Sequence, residues 1–232
     1  MADGAPILEV EGLSKSFGSW SLDDVAFVLS PGRVASLTGA NGSGKSTVLR
    51  CIAGLTRFEG TVRVCGVPVD DGVDARRHLA YIPQTVALPA TATIGEVLEL
   101  FARLRGADLD DLPIPDGFLR PWSTRIGTLS GGHRQRVALA AAFVGSPRVL
   151  LLDEPVANLD EEGRTFFWDL LSGLRDEGVT ALVAAPAFSS GAPAAVADHS
   201  IELSDGKVVS SGPLLRVVDE PVSSGDEEET AT

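Results

Sequence analysis

Basic side chains and cysteines are scarce in this sequence of 232 residues. Lysine and arginine together number 19 against 32 aspartates and glutamates, which gives a formal net charge of −13. A protein that binds nucleic acid needs a basic face toward the phosphate backbone, so this balance argues against a nucleic-acid partner. The two cysteines, Cys51 and Cys65, are too few for a disulfide framework in a chain of this size. They fit a reducing compartment.

Signals for secretion or for a membrane span are also missing. The N-terminal stretch MADGAPILEV has no basic region followed by an apolar run, so it predicts no secretory signal. The window 178–197 has no charged residue and reaches the crude length of a membrane span, but it contains Pro186, Pro193 and several serines. We therefore predict a short strand and a loop there, and no transmembrane segment.

The residues that are present predict one α/β domain. Hydrophobic residues make up 44% of the chain, enough for one sizeable core. Apolar and polar residues alternate over 7–17 and 20–30, which predicts antiparallel strands near the start. Further on, strands alternate with helices, which indicates a mostly parallel, buried sheet.

Residues 221–232, PVSSGDEEETAT, are acidic and almost without apolar groups, so we predict a disordered tail after a single domain over 1–220. The predicted elements are strands at 34–39, 61–69 (a pair) and 148–155, and helices at 46–55, 93–107, 131–146 and 164–178.

A phosphate-binding loop lies between the strand at 34–39 and the helix after it. The stretch GANGSGKST, residues 39–47, fits the pattern G-x-x-x-x-G-K-[ST] in the strand–helix context that this motif requires. Glycines allow the backbone to turn its N–H groups toward phosphates, and the helix N-terminus adds its positive end. We expect Lys45 to neutralise β- and γ-phosphate charge and the Ser46 hydroxyl to bind Mg²⁺.

A pair of carboxylates follows the apolar strand RVLLLDE. Asp153 at the strand end is expected to hold Mg²⁺ through water. Glu154 is placed to orient or deprotonate the attacking water. On its own such a pair is more often a solvated strand end, but an upstream phosphate loop favours the catalytic interpretation.

The stretch LSGGHRQR, 129–136, completes a set of motifs that resembles the ATP-binding cassette (ABC) ATPases, whose signature reads LSGGQ. The order also matches: GANGSGKST, YIPQ with Gln84, LSGGH, LLLDEP, and ANLD with Asp160. The resemblance covers about residues 7–212. It implies a P-loop NTPase core with a mostly parallel sheet, an N-terminal antiparallel β subdomain, and a small helical subdomain at about 85–147 that carries the signature. That subdomain looks short, as in exporters of the ABC-2 class.

The resemblance also implies roles for individual residues. Gln84 matches the glutamine that contacts Mg²⁺ and the attacking water, with Glu154 and Lys45 completing the catalytic set. Ser130, Gly131 and Gly132 would contact the γ-phosphate of ATP bound to the opposite subunit of a head-to-tail dimer. A hydroxyl and bare N–H groups at a helix start form an anion site on chemical grounds alone. The implied ATP contacts of the phosphate loop are Gly39, Asn41, Gly42, Ser43, Gly44, Lys45, Ser46 and Thr47, and the implied Mg²⁺ ligands are Ser46, Gln84 and Asp153.

Two positions leave alternatives open. Phe17 matches the aromatic residue that stacks on adenine, but Trp20 is a rival and either ring could instead pack in the core. His133 replaces the glutamine of the signature, and it could be no more than a tolerated polar substitution.

A third position departs from the family pattern. After the strand that follows Gly178, the family has a histidine that contacts the γ-phosphate. The position of this histidine corresponds to Pro186 or to one of its two neighbours. None of Ala185, Pro186 and Ala187 has an imidazole. His199 lies in the segment of the next strand and cannot easily replace it. We therefore expect ordinary ATP binding and slow hydrolysis.

Three functions are compatible with these residues. The first is a transporter ATPase that dimerises on ATP and drives a separate membrane permease, as an exporter, from the cytoplasmic face of the cell membrane. The second is a weakly hydrolysing or regulatory cassette that pairs with a competent sister subunit. The third is a soluble cassette in a complex outside the membrane. The transported substrate cannot be read from the sequence, because cassettes do not contact cargo.

Overall fold

The computed structural model describes residues 5–70, 73–110, 112, 114, 117–157, 159–185 and 196–214. Some predictions fall outside these ranges: the acidic tail at 221–232, most of the loop predicted within 178–197, and with it the positions of Pro186 and Ala187.

A six-stranded sheet forms the centre of the fold. Its strand order is β10-β9-β3-β8-β7-β6, and all neighbours except β10 and β9 run parallel. Strands β7 and β8 are buried along their whole length, as expected for a parallel sheet covered on both faces. The predicted buried parallel sheet is therefore confirmed. The strands are β3 (Val34–Thr38), β6 (Leu79–Ile82), β7 (Val149–Asp153), β8 (Thr180–Ala184), β9 (His199–Ser204) and β10 (Lys207–Pro213).

A second sheet of four antiparallel strands, in the order β2-β1-β4-β5, packs on the first. Its apolar side chains and those of helix α1 share one core with the parallel sheet. The alternation in the sequence reflects this half-burial, because successive side chains point to opposite faces, with one irregularity in the β1–β2 register between Val10 and Leu13 and another after it. The strands are β1 (Leu8–Phe17), β2 (Trp20–Leu29), β4 (Glu59–Val64) and β5 (Val67–Pro68).

Helices α3 and α4 pack against each other around a third apolar cluster that includes Leu98, Ile126 and Val137. Thr93 begins α3 with a capping box to Glu96, and Gly106 ends it in the left-handed conformation. The Arg105 side chain donates to the carbonyl oxygens of Val144 (3.1 Å) and Leu79 (3.4 Å), and so joins this layer to the central sheet. The helices are α1 (Lys45–Ile52), α2 (Val73–Arg77), α3 (Ile94–Arg105), α4 (Gly131–Phe143) and α5 (Glu161–Asp176).

The sequence prediction missed helix α2 and strand β10, and it differs from this fold in two further places. Helix α5 begins at Glu161, three residues before the predicted start, because the Asp160 side chain accepts a hydrogen bond from the Gly163 N–H (2.9 Å) and caps the helix. Strand β6 was not predicted at all. Both cysteines are free. Among the described residues, no helix is both long and apolar enough to cross a bilayer.

The turn between β9 and β10 joins the two sheets. Gly206 donates its N–H to the Ser43 carbonyl oxygen (3.1 Å), and its own carbonyl oxygen accepts from the Asp23 N–H (2.9 Å). A side chain at Gly206 would collide with the Ser21 carbonyl oxygen. One residue therefore contacts both the phosphate loop and strand β2.

This contact predicts that Gly206→Ala destabilises the protein more than Gly66→Ala does. The two glycines have nearly the same φ, +76° and +78°, each in a hairpin turn, but no atom lies within 4 Å of a Cβ placed at Gly66. Both substitutions carry the left-handed penalty of about 1–2 kcal/mol. Only Gly206→Ala adds the overpacking cost, about 1–3 kcal/mol. Equal losses in the free energy of unfolding, measured with urea, would contradict the tight contact.

Candidate functional site

A cleft of about 440 Å³ lies at the carboxyl ends of the central parallel strands. Parallel α/β sheets bind ligands at this edge. The cleft brings together residues from the phosphate loop, from the segment after β6 and from the end of β7. The lining residues are Trp20, Asn41, Gly42, Gly44, Lys45, Ser46, Thr47, Gln84 and Glu154.

Two glycines of the phosphate loop are required by its backbone path. Gly39 has φ +145°, and a Cβ there would collide with the Leu203 carbonyl oxygen of β9. Gly44 has φ +111°, and a Cβ there would lie 2.8 Å from the Trp20 ring. Gly44 is also the N-cap of α1 and has no side chain to cap it. The N-terminal N–H groups of α1 therefore have no side-chain cap and can bind an anion.

Lys45 is the one lysine or arginine among the described buried residues, with 5% of its surface exposed. Its Nζ donates to the carbonyl oxygens of Gly39 (2.8 Å) and Ala40 (2.9 Å). An ammonium group has three N–H donors, so one remains for an anionic ligand. The loop therefore holds a buried positive charge that lines the cleft.

Ser46, the residue after Lys45, forms a pair with Asp153 at the end of β7. The Ser46 hydroxyl donates to Asp153 Oδ1 (3.0 Å), and Asp153 is 1% exposed. The second oxygen, Oδ2, is buried and has no hydrogen-bond partner among the described residues. A buried carboxylate oxygen that accepts no hydrogen bond lowers the free energy of unfolding. A hard cation with oxygen ligands such as Mg²⁺ fits this pair, because it would satisfy the free oxygen.

Gln84 and Glu154 meet across the cleft. Gln84 Nε2 donates to Glu154 Oε2 (2.8 Å). Glu154 has φ +49°, the left-handed region that a residue with a side chain rarely adopts. Its N–H donates to the Ala184 carbonyl oxygen at the end of β8 (2.9 Å). Strain of this kind is found where a side chain must be aimed at a ligand.

Trp20 lines the cleft, whereas Phe17 does not. The two residues are opposite one another in the β1–β2 register, with ring centroids 6.0 Å apart. Phe17 is 48% exposed, so the alternative that its ring packs in the core is wrong. The structure places Trp20 nearer the phosphate loop, and Phe17 stays a prediction as the partner of the base.

Tyr81 is a neighbour of the site that the sequence analysis missed. It lies on β6, opposite Leu151 of β7, and its phenol oxygen is buried without a hydrogen-bond partner among the described residues. Burial raises the pKa of Tyr81, the Asp153 carboxylate acts in the same direction, and Arg50 acts against both. Tyr81 therefore stays neutral beside the carboxylate that would hold the cation.

The signature residues lie apart from this cleft. Ser130 is the N-cap of α4, and its hydroxyl accepts from the His133 N–H (3.3 Å). Gly131 and Gly132 form the first turn of that helix, and none of the three is among the described residues that line the cleft. The structure therefore brings together the phosphate loop, Gln84, Asp153 and Glu154, but not Ser130, Gly131 and Gly132.

The end of β8 lies beside Glu154. The Ala185 N–H donates to the Leu37 carbonyl oxygen of β3 (3.2 Å), which leads into the phosphate loop. The residues just after it, Pro186 and Ala187, lie outside the described ranges. His199 is the first residue of β9, as expected, and its Nε2 contacts Ser211 Oγ at 3.4 Å.

Comparison with known proteins gives a consistent result. The protein-family model described as ABC transporter matches residues 22–157. The Nod factor export ATP-binding protein I of Paraburkholderia xenovorans is 34% identical over 76% of this chain and 61% of its own length. The molybdate/tungstate import ATP-binding protein WtpC of Thermococcus kodakarensis is 32% identical over 94% of this chain and 68% of its own length. The chain thus spans about two thirds of these relatives or less.

Among solved structures, a dimeric ATP-binding cassette in a post-hydrolysis state, bound to ADP and phosphate, superposes with a TM-score of 0.77. It is 26% identical, and the match covers 90% of this chain and 99% of that one. The predicted P-loop NTPase fold with two kinds of sheet and a helical layer is confirmed by this likeness.

Proposed function

The chain belongs to the ABC transporter family as an ATP-binding cassette ATPase, and from this membership we propose how its cleft works. It binds Mg²⁺-ATP at the phosphate loop, forms a head-to-tail dimer on ATP and couples hydrolysis to a separate membrane permease. The observation that carries the proposal is the meeting of Lys45, the Ser46–Asp153 pair and the Gln84–Glu154 pair in one cleft.

Each of these groups has a defined part. Lys45 and the uncapped N–H groups of α1 bind the phosphates, and Asn41, Gly42, Ser43 and Thr47 complete the loop around them. Ser46 and Asp153, with Gln84, would hold Mg²⁺, which when bound neutralises part of the phosphate charge. Glu154 accepts the proton of the attacking water, and the amide of Gln84 fixes its carboxylate.

Loss of the Lys45 ammonium tests the phosphate site. We expect Lys45→Ala to weaken ATP binding by about tenfold or more, which is about 1.4 kcal/mol, because the buried positive charge facing the phosphates is removed. Calorimetric titration with Mg²⁺-ATP measures the affinity. Lys207→Ala is the control, since that lysine is exposed and pairs with Asp23 (2.9 Å). Unchanged affinity in Lys45→Ala would overturn the assignment of the loop.

The dimer is proposed because each cleft lacks the signature residues of its own chain. Ser130, Gly131 and Gly132, at the start of α4, can reach a γ-phosphate only from a second subunit. A dimeric cassette is among the solved structures of the same fold. The partner is a second copy of this chain or a sister cassette, and the lack of an imidazole in the sequence at Ala185, Pro186 and Ala187 favours a sister that supplies the missing histidine.

Dimerisation can be tested at Gly131. In a Glu154→Gln background, where turnover is slow, we expect ATP to shift the protein to the dimer on size-exclusion chromatography. Gly131→Asp should abolish this shift, because its carboxylate would face the γ-phosphate of the partner's ATP. Gly173→Asp is the matched control, since it adds the same charge at an exposed glycine of α5 where a Cβ meets no atom within 4 Å. A dimer fraction that responds to neither ATP nor Gly131→Asp would contradict the proposal.

The names of the relatives give both directions of transport. Nod factor export is the activity named for one relative and molybdate/tungstate import for another. We propose export, with the cassette peripheral on the cytoplasmic face of the cell membrane, because the helical layer is limited to α3 and α4 among the described residues. Import is the second candidate, since the import relative matches 94% of this chain. Deletion of the gene should leave cellular molybdenum unchanged for an exporter and lower it for an importer of this oxyanion.

A further inference from the structure

His133 links the signature serine to an arginine from another segment. Its Nδ1 lies 2.8 Å from Ser130 Oγ, and its Nε2 accepts a hydrogen bond from Arg120 Nε (3.1 Å). The imidazole is half-buried at the start of α4, and Arg120 precedes it by 13 residues. The side chain that replaces the signature glutamine therefore has two specific partners.

The chemistry of Arg120 decides which nitrogen of His133 carries the proton. A guanidinium Nε is always a donor, so Nε2 of the ring must be the acceptor. A neutral imidazole has one N–H, which then lies on Nδ1 and donates to Ser130 Oγ. Burial lowers the pKa of His133 from its ordinary value, Arg120 and Arg136 lower it further, and Asp160 opposes them in part. The ring is therefore neutral at pH 7, as this tautomer requires.

This tautomer fixes the direction of the Ser130 hydroxyl. Ser130 Oγ accepts from the His133 backbone N–H (3.3 Å) and from Nδ1–H (2.8 Å). A hydroxyl has two acceptor lone pairs and one donor, so both lone pairs are occupied and the O–H is free to donate outward. With the opposite tautomer, the O–H would instead be directed at Nδ1 and would be lost to an external anion.

We propose that Arg120 and His133 are positioning residues that hold the Ser130 hydroxyl as a hydrogen-bond donor to the γ-phosphate of ATP on the partner subunit. This inference rests on the proposed ATP-dependent dimer. Arg120 acts through the ring, the ring acts through Ser130, and only Ser130 contacts the nucleotide. The alternative that His133 is a tolerated polar substitution predicts no effect of either residue on the dimer.

The proposal is tested by dimer formation in the Glu154→Gln background, followed by sedimentation with Mg²⁺-ATP. His133→Ala should raise the dimer dissociation constant about tenfold or more, since a hydrogen bond to a charged phosphate is lost at each site. His133→Asn should restore most of the affinity, because its amide N–H can take the place of Nδ1–H. ATP binding by the monomer should stay unchanged in both, since His133 does not line the cleft of its own chain.

A double-mutant cycle distinguishes a relay, in which Arg120 acts on Ser130 through His133, from independent effects of the two residues on the dimer. Arg120→Leu should weaken the dimer in the same direction as His133→Ala, because the ring can then take the opposite tautomer. In the His133→Ala variant, Arg120→Leu should not raise the dimer dissociation constant any further. Arg103→Leu, which removes an exposed arginine of α3 paired with Glu99, is the control. Additive losses for Arg120→Leu and His133→Ala would overturn the relay.

The tautomer can be observed directly by ¹⁵N–¹H correlation of the imidazole nitrogens. The chain has three histidines, so His133→Asn assigns the signals by difference. We expect Nδ1–H for His133 at pH 7.5 and a shift to Nε2–H in Arg120→Leu. Detection of Nε2–H or of imidazolium in the parent protein would overturn the proposal, and so would normal dimerisation of His133→Ala. If the Glu154→Gln parent binds ATP but does not dimerise, the proposed ATP-dependent dimer is wrong. This failure is distinguishable from a failure of the Arg120–His133 proposal, because it is seen in the parent before either residue is changed.

Discussion

Glu154→Gln is expected to lower the ATP turnover number by about 10² to 10⁴ while ATP affinity stays unchanged. An amide has the shape of the carboxylate but cannot accept the proton of the attacking water. Its carbonyl oxygen can still accept the hydrogen bond of Gln84 Nε2, which is 2.8 Å long in the parent protein. The change therefore removes the base and keeps the arrangement of the cleft. Phosphate release under saturating ATP gives the rate, and calorimetry gives the affinity.

Glu202→Gln is a matched control for this change, because Glu202 is an exposed glutamate of β9. It should leave the turnover number within the error of the parent value. Full activity of Glu154→Gln would exclude Glu154 as the general base, and a loss of ATP affinity would show that the carboxylate contributes to binding instead.

The second large effect is expected at the end of β8. The parent protein should hydrolyse ATP slowly, and Pro186→His or Ala185→His should raise the rate by up to about 10² to 10³, the effect of one positioned transition-state donor. The structural basis is the location of this strand end: the Ala184 carbonyl oxygen accepts from the Glu154 N–H, and the Ala185 N–H donates to Leu37 of β3. A side chain added at Ala185 therefore follows the residue that contacts Glu154, the proposed general base, and lies at the strand that leads into the phosphate loop.

ATP affinity measured in parallel should be the same in all three proteins, since Ala185 is not among the residues that line the cleft and the added imidazole is expected to act on the transition state. Pro186→Ala is the control for loss of the proline ring alone. A parent turnover of several per second that neither histidine improves would show that the protein hydrolyses ATP well without an imidazole. The missing histidine would then be a harmless variation of the sequence.

The phosphate loop, the carboxylate strand and the two sheets were predictable because their signals are local. A glycine-rich turn between a strand and a helix, or a strand that is apolar throughout, carries its structure in consecutive residues. The start of α5 was predictable too, since Asp160 is a good N-cap, but the prediction placed the start at Arg164. Strand β6 has only the four residues LAYI, too few for periodicity to separate strand from helix.

The remaining features depend on contacts that the sequence does not encode locally. Phe17 and Trp20 are equivalent aromatics in the sequence, and only their pairing across the β1–β2 hairpin and the path of the phosphate loop place Trp20 in the cleft. Arg120 reaches His133 from a loop without any periodic pattern. The meeting of Gln84 with Glu154 joins residues 70 apart, and the motif alone does not give its geometry.

The β9–β10 turn also has a practical consequence for anyone who labels or modifies this protein. A two-residue hairpin turn is usually a safe place for an inserted epitope or a fluorophore attachment point, because such turns extend into solvent. Here the turn contacts the phosphate loop, through the hydrogen bond from the Gly206 N–H to the Ser43 carbonyl oxygen. An insertion there would deform the nucleotide pocket. The hairpin at Cys65 and Gly66, where a Cβ at the glycine meets open space, is the better choice.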